Sequence, residues 1–319
     1  MKKYFLKKLF LSIITLFLIV LILFLLMDIM PGSPFNNEKL TPEQMEMMKK
    51  MYGLDKPVLQ RFFIYAANIL KGDFGISYSL SINTPVSVMI ASRMPVSMLI
   101  GLCAMLLGSA LGLILGFFAA FSIFYGSRRS GRIADLLCML ISIIGISVPS
   151  YIFAIIMSYF LGYRWRVFPL LFDFRSPVRS SVMAVIALST FVTAVVARYT
   201  RDEATKVLKS DYVLFAVSQG IQKKALLFHY VIRNSLMGII TVMAMLLVGL
   251  LTGSLVTERI FSIPGIGFLL SSAIEANDYN VIIALSFVFA AIYVTARFIL
   301  DILYGIIDPR VRIEEGRER

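Results

Sequence analysis

The chain has 319 residues, of which 59% are hydrophobic and only 16% are charged. Soluble globular domains have about 25% charged residues, so this composition excludes a soluble domain and indicates an integral membrane protein. The formal net charge of +12 does not indicate nucleic-acid binding, because basic loops beside apolar spans are the usual signature of cytoplasmic membrane topology. Cys103 and Cys138 lie inside apolar runs without metal-ligand or disulfide spacing, so no metal site is predicted.

Six stretches are long and apolar enough to cross a bilayer as helices, and the first reads as an uncleaved membrane helix. They are residues 9–30, 95–125, 135–161, 178–199, 236–256 and 281–304. We therefore predict an all-α integral membrane protein with six transmembrane helices. The predicted domains are a first helix with an extracytoplasmic helical segment, a five-helix core and a cytoplasmic tail, at residues 1–94, 95–305 and 306–319.

The distribution of Lys and Arg predicts that both termini are cytoplasmic. With the amino terminus inside, the inside segments hold 18 Lys and Arg residues, whereas the two short outside loops hold five. The long segment after the first span is then outside, and its helix start and stop signals predict two helices. These signals are Thr41, Pro42, Gln44 and Gly53 for the first helix, and Pro57 and Gly72 for the second.

Small residues in two spans predict close helix packing. Gly108, Gly112 and Gly116 recur at four-residue spacing in the second span, and Gly249 and Gly253 repeat the pattern in the fifth. In lipid, such a ridge of small residues lets another helix backbone approach closely. The pattern predicts contacts between helices and carries no chemistry of its own.

The sequence contains few groups that could perform catalysis or drive transport. It has no G-x-x-x-x-G-K-[ST] phosphate loop, so the chain is not predicted to bind ATP itself. The one histidine, His229, lies outside the spans, which leaves no Ser/His or metal-ligand set inside the membrane. No carboxylate lies at mid-bilayer, where a proton-driven carrier usually needs one. Any transport is therefore expected to draw its energy from outside this chain.

A polar helical hairpin at about residues 201–235 separates the fourth and fifth spans. Gly220 permits a sharp reversal of the chain, after which IQKKALLFH is predicted to form a short second helix before the return to the bilayer. Such a hairpin predicts a rigid knob in the cytosol that a soluble motor could push. The apolar face predicted for its first helix consists of Ala204, Val207, Leu208, Tyr212, Phe215 and Ala216.

At this hairpin the chain resembles a known family. DYVLFAVSQG is similar to the D-Y-x-x-x-A-x-x-x-G form of the EAA loop in permease subunits of bacterial ABC importers. Val217, Ser218 and Gln219 stand where that family often has Arg or Lys. Further motifs occur in the order and spacing of the B-type permeases of dipeptide, oligopeptide and nickel importers. They include MPGSP, YGLDKPVLQRF, ILKGDFGISY, HYVIRNSL, TERIFSIPGIGFLL, DYNVI and DILYGIIDPRVRI.

The resemblance implies the fold of a type I ABC importer permease, a chain without enzymatic activity that forms half of a pathway for short peptides. A nickel or metallophore importer is the alternative within the family, and an ATP-independent channel or secondary carrier is the alternative of another class. The resemblance also assigns two sets of residues. Those of the ATPase-coupling loop are Asp211, Tyr212, Ala216, Gly220, Ile221, Gln222, Lys223, Lys224, Leu227 and Arg233. Those of an extracytoplasmic motif are Glu258, Pro264, Gly265 and Gly267.

The partners that the resemblance implies are all other components of an importer. They are a homologous C-type permease subunit in a heterodimer, two ATP-binding subunits, an extracytoplasmic substrate-binding protein and membrane lipid, with no nucleic acid. This chain itself is expected to bind no cofactor, since ATP and Mg would be held by the ATPase subunits. The implied location is the bacterial plasma (inner) membrane.

Overall fold

The computed structural model describes residues 2–29, 43, 46, 47 and 55–307, and its regular elements are helices. Among these residues the only β pairing is an isolated antiparallel bridge between Ile76 and Pro85. Within the described part of the chain, six helices are long and apolar enough to cross a membrane, at Lys8–Leu26, Val86–Tyr125, Arg129–Ser147, Pro177–Leu208, Lys223–Leu251 and Tyr279–Leu300. The predicted fold class, all-α with six transmembrane helices, is confirmed.

The helices are numbered here in chain order, and two π-helical segments are named π1 and π2. They are α1 Lys2–Ile29, α2 Val58–Ile69, α3 Val86–Tyr125, α4 Arg128–Ser147, α5 Ser150–Met157, π1 Ser158–Arg164, α6 Pro177–Leu208, α7 Asp211–Ser218, α8 Lys223–Ala225, π2 Leu226–Ile232, α9 Arg233–Leu251, α10 Leu255–Ile260, α11 Ile266–Glu275 and α12 Tyr279–Ile307.

By its contacts the chain divides into two compact units. One consists of Met1–Pro95 and Pro264–Arg319, and the other of Val96–Ile263. The first boundary falls at Pro95 inside α3, a residue that has no backbone N–H to donate. The domains predicted from the sequence follow membrane topology rather than contacts, and they stay a prediction.

The first unit is built on α1, which packs along α12. Helix α2 joins α1 through Phe62, whose side chain is 1% exposed and whose ring lies 5.4 Å from the Phe17 ring and 5.8 Å from the Phe24 ring. The chain leaves α2 through Gly72, which has a left-handed φ of 77°, so the predicted helix and its stop are confirmed. The helix predicted between Thr41 and Gly53 lies outside the described residues.

A buried carboxylate holds the segment that follows α2 in this unit. The Asp278 Oδ2 atom accepts hydrogen bonds from the Ser77 hydroxyl at 2.5 Å and from the backbone N–H groups of Tyr78, Ser79 and Leu80 at 3.0–3.1 Å. Nearby, the Asn280 side-chain amide donates to the Ile76 carbonyl at 2.7 Å. Because Asp278 is fully buried, these donors replace the water that its charge would otherwise need.

Replacing Asp278 by Ala should release the segment between Gly75 and Leu80. The change leaves one buried hydroxyl and three backbone N–H groups without their acceptor, and we expect a loss of about 3 kcal/mol or more in local stability. Asp278→Asn keeps one acceptor oxygen and should show a smaller loss. Limited proteolysis of the purified chain measures the change as faster cleavage within this segment. An unchanged cleavage rate in Asp278→Ala would show that the carboxylate does not hold the segment.

The second unit is centred on α6, since α4, α5 and α9 all pack against this helix. Its buried residues include many small ones, such as Ala184, Ala187, Ala194 and Ala197. Small side chains on α6 allow its neighbours to approach closely. In lipid the hydrophobic effect does not drive helices together, and close van der Waals packing of this kind holds them in contact.

The third span differs from its prediction. The sequence pattern predicts one helix over residues 135–161, but α4 ends at Ser147 and α5 begins at Ser150. Pro149 lies between them, and Val148 before it has an extended backbone with φ −90° and ψ 119°. A proline disfavours helical geometry in the residue before it and cannot continue the hydrogen-bond ladder, so an apolar run alone did not reveal the break.

Candidate functional site

The turn at Gly220 has the geometry of a Schellman helix stop. Gly220 has a φ of 78°, and its N–H donates to the Val217 carbonyl at 3.0 Å. The Ile221 N–H donates to the Ala216 carbonyl at 3.3 Å, which completes the paired hydrogen bonds of this motif. An added Cβ at Gly220 would meet no atom within 4 Å, so the turn selects glycine by backbone conformation and not by space.

The helix before this turn is broken where the sequence pattern predicts one continuous apolar face. Helix α6 ends at Leu208, and α7 begins at Asp211 after a turn through Ser210. The break changes the helical register. Of the residues predicted on the apolar face, Ala204, Leu208 and Ala216 are buried and Val207 is partly buried. Tyr212 and Phe215 are exposed, and Val213 is buried in their place.

A compact apolar cluster, here called the knob core, fixes the knob formed by residues 211–232. Val213 and Ala216 of α7 and Leu226 and Val231 of π2 are buried together with Leu208 at the end of α6. The end of α3 closes this cluster with aromatic rings, and the Lys223 ammonium lies 4.8 Å from the centre of the Tyr125 ring. These rings are Phe117, Phe121, Phe124 and Tyr125.

The outer surface of the knob carries large apolar side chains that none of the described residues covers. Phe215 and Phe228 are 64% and 63% exposed, and Tyr212, Leu214 and Val217 are also exposed. Exposed apolar side chains that cluster on one short element mark an interaction surface. The remaining coupling-loop residues predicted from the sequence surround this surface or lie beneath it. Asp211, Gln222, Lys223, Lys224 and Arg233 are exposed, whereas Ile221 and Leu227 are partly buried against the knob core.

The second arm of the knob is continuous with the fifth span. The sequence predicts a short separate helix and a span over residues 236–256, but helical structure runs without a break from Lys223 to Leu251 through α8, π2 and α9. The π-helical turn adds one residue to the turn without interrupting the helix, and residue patterns do not signal this insertion. The second arm of the knob and the fifth candidate span therefore form one continuous helix.

A charged clamp joins α4 to α6 near the knob. The Arg201 guanidinium donates to both carboxylate oxygens of Asp135, at 2.8 and 3.0 Å, and to Asp202 at 2.8 Å. A bidentate pair of this kind fixes the relative orientation of the two side chains as well as their distance. Residue spacing alone did not predict this clamp. The available signal was that Asp135 and Arg201 both lie beside span ends predicted on the same side of the membrane.

The glycine ridge of α3 lies against the backbone of α6. A Cβ added at Gly108 would lie 2.8 Å from the Ser189 carbonyl oxygen, and one at Gly116 would lie 2.6 Å from the Ala197 carbonyl oxygen. A Cβ at Gly112 would similarly meet α6, at 2.9 Å from the Thr193 carbonyl oxygen. All three distances are too short for a side chain, so this ridge requires glycine for close approach.

The second predicted ridge is not formed within this chain. A Cβ added at Gly249 would meet nothing within 4 Å, and Gly253 lies beyond the end of α9 in a left-handed turn with φ 78°. Helix α9 instead comes close to α3 at Gly101, where an added Cβ would lie 2.6 Å from the Leu250 carbonyl oxygen. The four-residue spacing of Gly249 and Gly253 was misleading because the helix ends at Leu251, between them.

The residues of the predicted extracytoplasmic motif belong to different local structures. Glu258 on α10 is 2% exposed and accepts a hydrogen bond from the Ser97 hydroxyl at 2.7 Å. In the other unit, Pro264 precedes Gly265, whose carbonyl accepts the Leu269 N–H at 3.0 Å at the start of α11. Gly267 is buried in the first turn of that helix. Each residue thus has a clear local structural role.

Comparison with protein families matches almost the whole chain. Residues 112–313 match the family described as "Binding-protein-dependent transport system inner membrane component". Residues 1–101 match its companion, "Binding-prot-dependent transport system membrane comp, N-term". The knob, the glycine ridge and the charged clamp therefore lie within or next to a region shared by these transport components.

Several full-length relatives are similar to the chain. The dipeptide transport system permease protein DppB of Lactococcus lactis subsp. cremoris is 42% identical over 98% of this chain and all of its own length. DppB of Bacillus subtilis is 32% identical, over 99% of both chains. The oligopeptide transport system permease protein OppB of Haemophilus influenzae is 31% identical over 98% of this chain and 100% of its own.

Proposed function

Since the chain belongs to the family of inner-membrane components of binding-protein-dependent transport systems, we propose that it is a permease subunit of an ATP-binding-cassette importer. It forms half of the translocation pathway, and short peptides are its substrate class. The names of the relatives, dipeptide and oligopeptide permeases, support this class. A nickel or metallophore substrate is the alternative within the family, and a ligand screen on the external binding protein decides between them.

The observation that carries this proposal is the knob, with its exposed Phe215 and Phe228 above a closed apolar core. A projecting, internally packed element with an uncovered apolar tip fits the groove of a soluble partner. The partner on this side is an ATP-hydrolysing subunit, present in two copies, which holds ATP and Mg. A homologous C-type permease completes the membrane part, and an extracytoplasmic binding protein delivers the substrate.

Movement of the ATPase subunits is transmitted through rigid connections in the second unit. When the motor closes, it pushes the knob, and the unbroken helix from Lys223 to Leu251 carries the push into the fifth span. The knob core passes the same displacement to the ends of α3 and α6, and the bond between Arg201 and Asp135 extends it to α4. Rigid-body motion of packed helices of this kind alternates the pathway between its inward-open and outward-open states.

Cysteine labelling tests the orientation on which this function depends. In a background with Cys103 and Cys138 replaced by Ala, a cysteine at Gln222 should react only with reagent on the cytoplasmic side. A cysteine at Ile82, which is 64% exposed, should react only from outside. In the assembled importer, the cysteine at Gln222 should also cross-link to the ATPase subunit. Labelling with the opposite sidedness would contradict the orientation, and the absence of a cross-link would contradict docking of the knob.

A further inference from the structure

One face of α4 combines a basic end with a continuous apolar stripe, separate from the knob. Arg129 and Arg132 together with Ile133 and Leu136 line an open groove of about 380 Å³. Successive positions at three- or four-residue spacing extend the same face along the helix. The apolar stripe consists of Ile133, Leu136, Leu140 and Ile143, each between 44% and 57% exposed.

This face is the side of α4 that points away from its neighbours in this chain. The opposite side carries Cys138 and Ser142, which are buried, and Gly145, where an added Cβ would lie 2.5 Å from the Ala194 Cβ atom of α6. The packing of α4 in the second unit therefore leaves the stripe uncovered.

The two arginines at the end of the stripe concentrate positive charge at the start of α4. Within the described part of the chain, neither Arg129 nor Arg132 has an acidic partner within 4.0 Å. The nearest carboxylate along the helix, Asp135, is already held by both prongs of Arg201. The first turn of α4 also contains no acidic residue, although such residues are favoured there. This basic end of α4 can therefore attract an anion from outside the chain.

The length of the stripe matches one leaflet of a bilayer. Ile133 and Ile143 are ten residues apart, which is about 15 Å along a helix. The hydrocarbon core is about 30 Å thick, so one acyl chain that enters from the interface spans about this distance. The stripe is entirely aliphatic and lacks the aromatic anchors that protein interfaces concentrate.

From this arrangement we infer that the outer face of α4 binds an anionic phospholipid. Its phosphate lies between Arg129 and Arg132, and one acyl chain lies along Ile133, Leu136, Leu140 and Ile143. Basic groups at a membrane interface attract anionic headgroups, and the apolar stripe beside them holds the lipid to this helix. This inference does not rest on the peptide substrate or on the orientation proposed above.

Native mass spectrometry of the purified full-length chain in detergent tests this site. Titration with phosphatidylglycerol should give a bound-lipid adduct that phosphatidylcholine of the same acyl chains gives far more weakly. The double variant Arg129→Gln/Arg132→Gln should weaken phosphatidylglycerol binding by about tenfold or more, whereas Arg129→Lys/Arg132→Lys should retain most of it.

The matched control removes two exposed arginines elsewhere, by Arg164→Gln and Arg166→Gln. Lipid binding should change by less than about twofold, although the net charge falls equally. Equal losses in the two double-glutamine variants, or equal binding of phosphatidylcholine, would overturn the site. Displacement of the lipid by inorganic phosphate at the same concentration would identify a simple anion site instead. A photo-crosslinker at Ile133 should react with lipid in membranes, and a protein adduct at this position would also overturn the inference.

Discussion

Gly220→Val is expected to separate the permease from its ATPase subunits while leaving the six spans inserted. The φ of 78° at Gly220 is strained for a β-branched residue by about 1–3 kcal/mol. There is open space around this position, so the valine acts through the backbone and turns the second arm of the knob away from its docking direction. We expect ATPase co-purification and ATP-dependent uptake to fall together by about tenfold or more.

Two further substitutions distinguish this effect from general damage. Gly220→Asn should retain most activity, because asparagine adopts the left-handed region more readily than other non-glycine residues. Gly72→Val is the matched control, since Gly72 has almost the same φ of 77° and the same open surroundings but lies after α2. That variant should retain ATPase association. Normal association and uptake in Gly220→Val would show that the turn tolerates any residue.

Gly112→Val is expected to destabilise the membrane part itself. The added Cβ would lie 2.7 Å from the Val196 Cβ atom and 2.9 Å from the Thr193 carbonyl oxygen, so α3 and α6 must separate. Overpacking of this kind costs about 1–3 kcal/mol, and more where the obstacle is backbone. Heating of the purified chain, followed by size-exclusion chromatography of the protein that remains monodisperse, should show a clearly lower midpoint than for the unmodified chain.

Gly249→Val provides the control for this destabilisation. It introduces the same side chain into another membrane helix, but no atom of the described residues would lie within 4 Å of the added Cβ. The isolated chain should therefore keep its thermal midpoint. If Gly112→Val and Gly249→Val lower the midpoint equally, the close approach of α3 and α6 is not what makes glycine necessary at position 112.

The number and approximate position of the spans could be predicted because lipid imposes a simple requirement. A membrane helix needs about 20 consecutive apolar residues, and such runs can be read directly from the sequence. The reversal at Gly220 was also predictable, since a glycine between two helical patterns usually marks a left-handed turn. These features depend only on local sequence, so a single sequence is enough to predict them.

The observed helices differ from the predicted ones where a few residues or the packing decide the backbone geometry. Pro149 interrupts an apolar run that reads as one helix, and the turn at Ser210 changes the register of the knob. The π-helical turn after Ala225 lets the knob continue into the fifth span without any residue signal. Hydrophobic periodicity assumes an unbroken helix, so Tyr212 and Phe215 were predicted to share one apolar face with Ala204 and Leu208, whereas both are exposed.

Contacts between distant parts of the chain could not be predicted from spacing. The bond between Arg201 and Asp135 joins residues 66 positions apart, and the bond between Ser97 and Glu258 joins residues 161 positions apart. Each charged or polar group is unremarkable alone at the end of a span. Its role depends on which helices pack together, and residue spacing along a single helix does not show that arrangement.

The most direct test of the proposed function is uptake by the complete importer in proteoliposomes that contain ATP. With a dipeptide as substrate and the binding protein supplied outside, uptake should require ATP hydrolysis and should persist when a proton uncoupler is added. The Gly220→Val complex should fail under the same conditions. Uptake that continues without ATP and is abolished by the uncoupler would contradict the proposed function and identify the chain as a carrier.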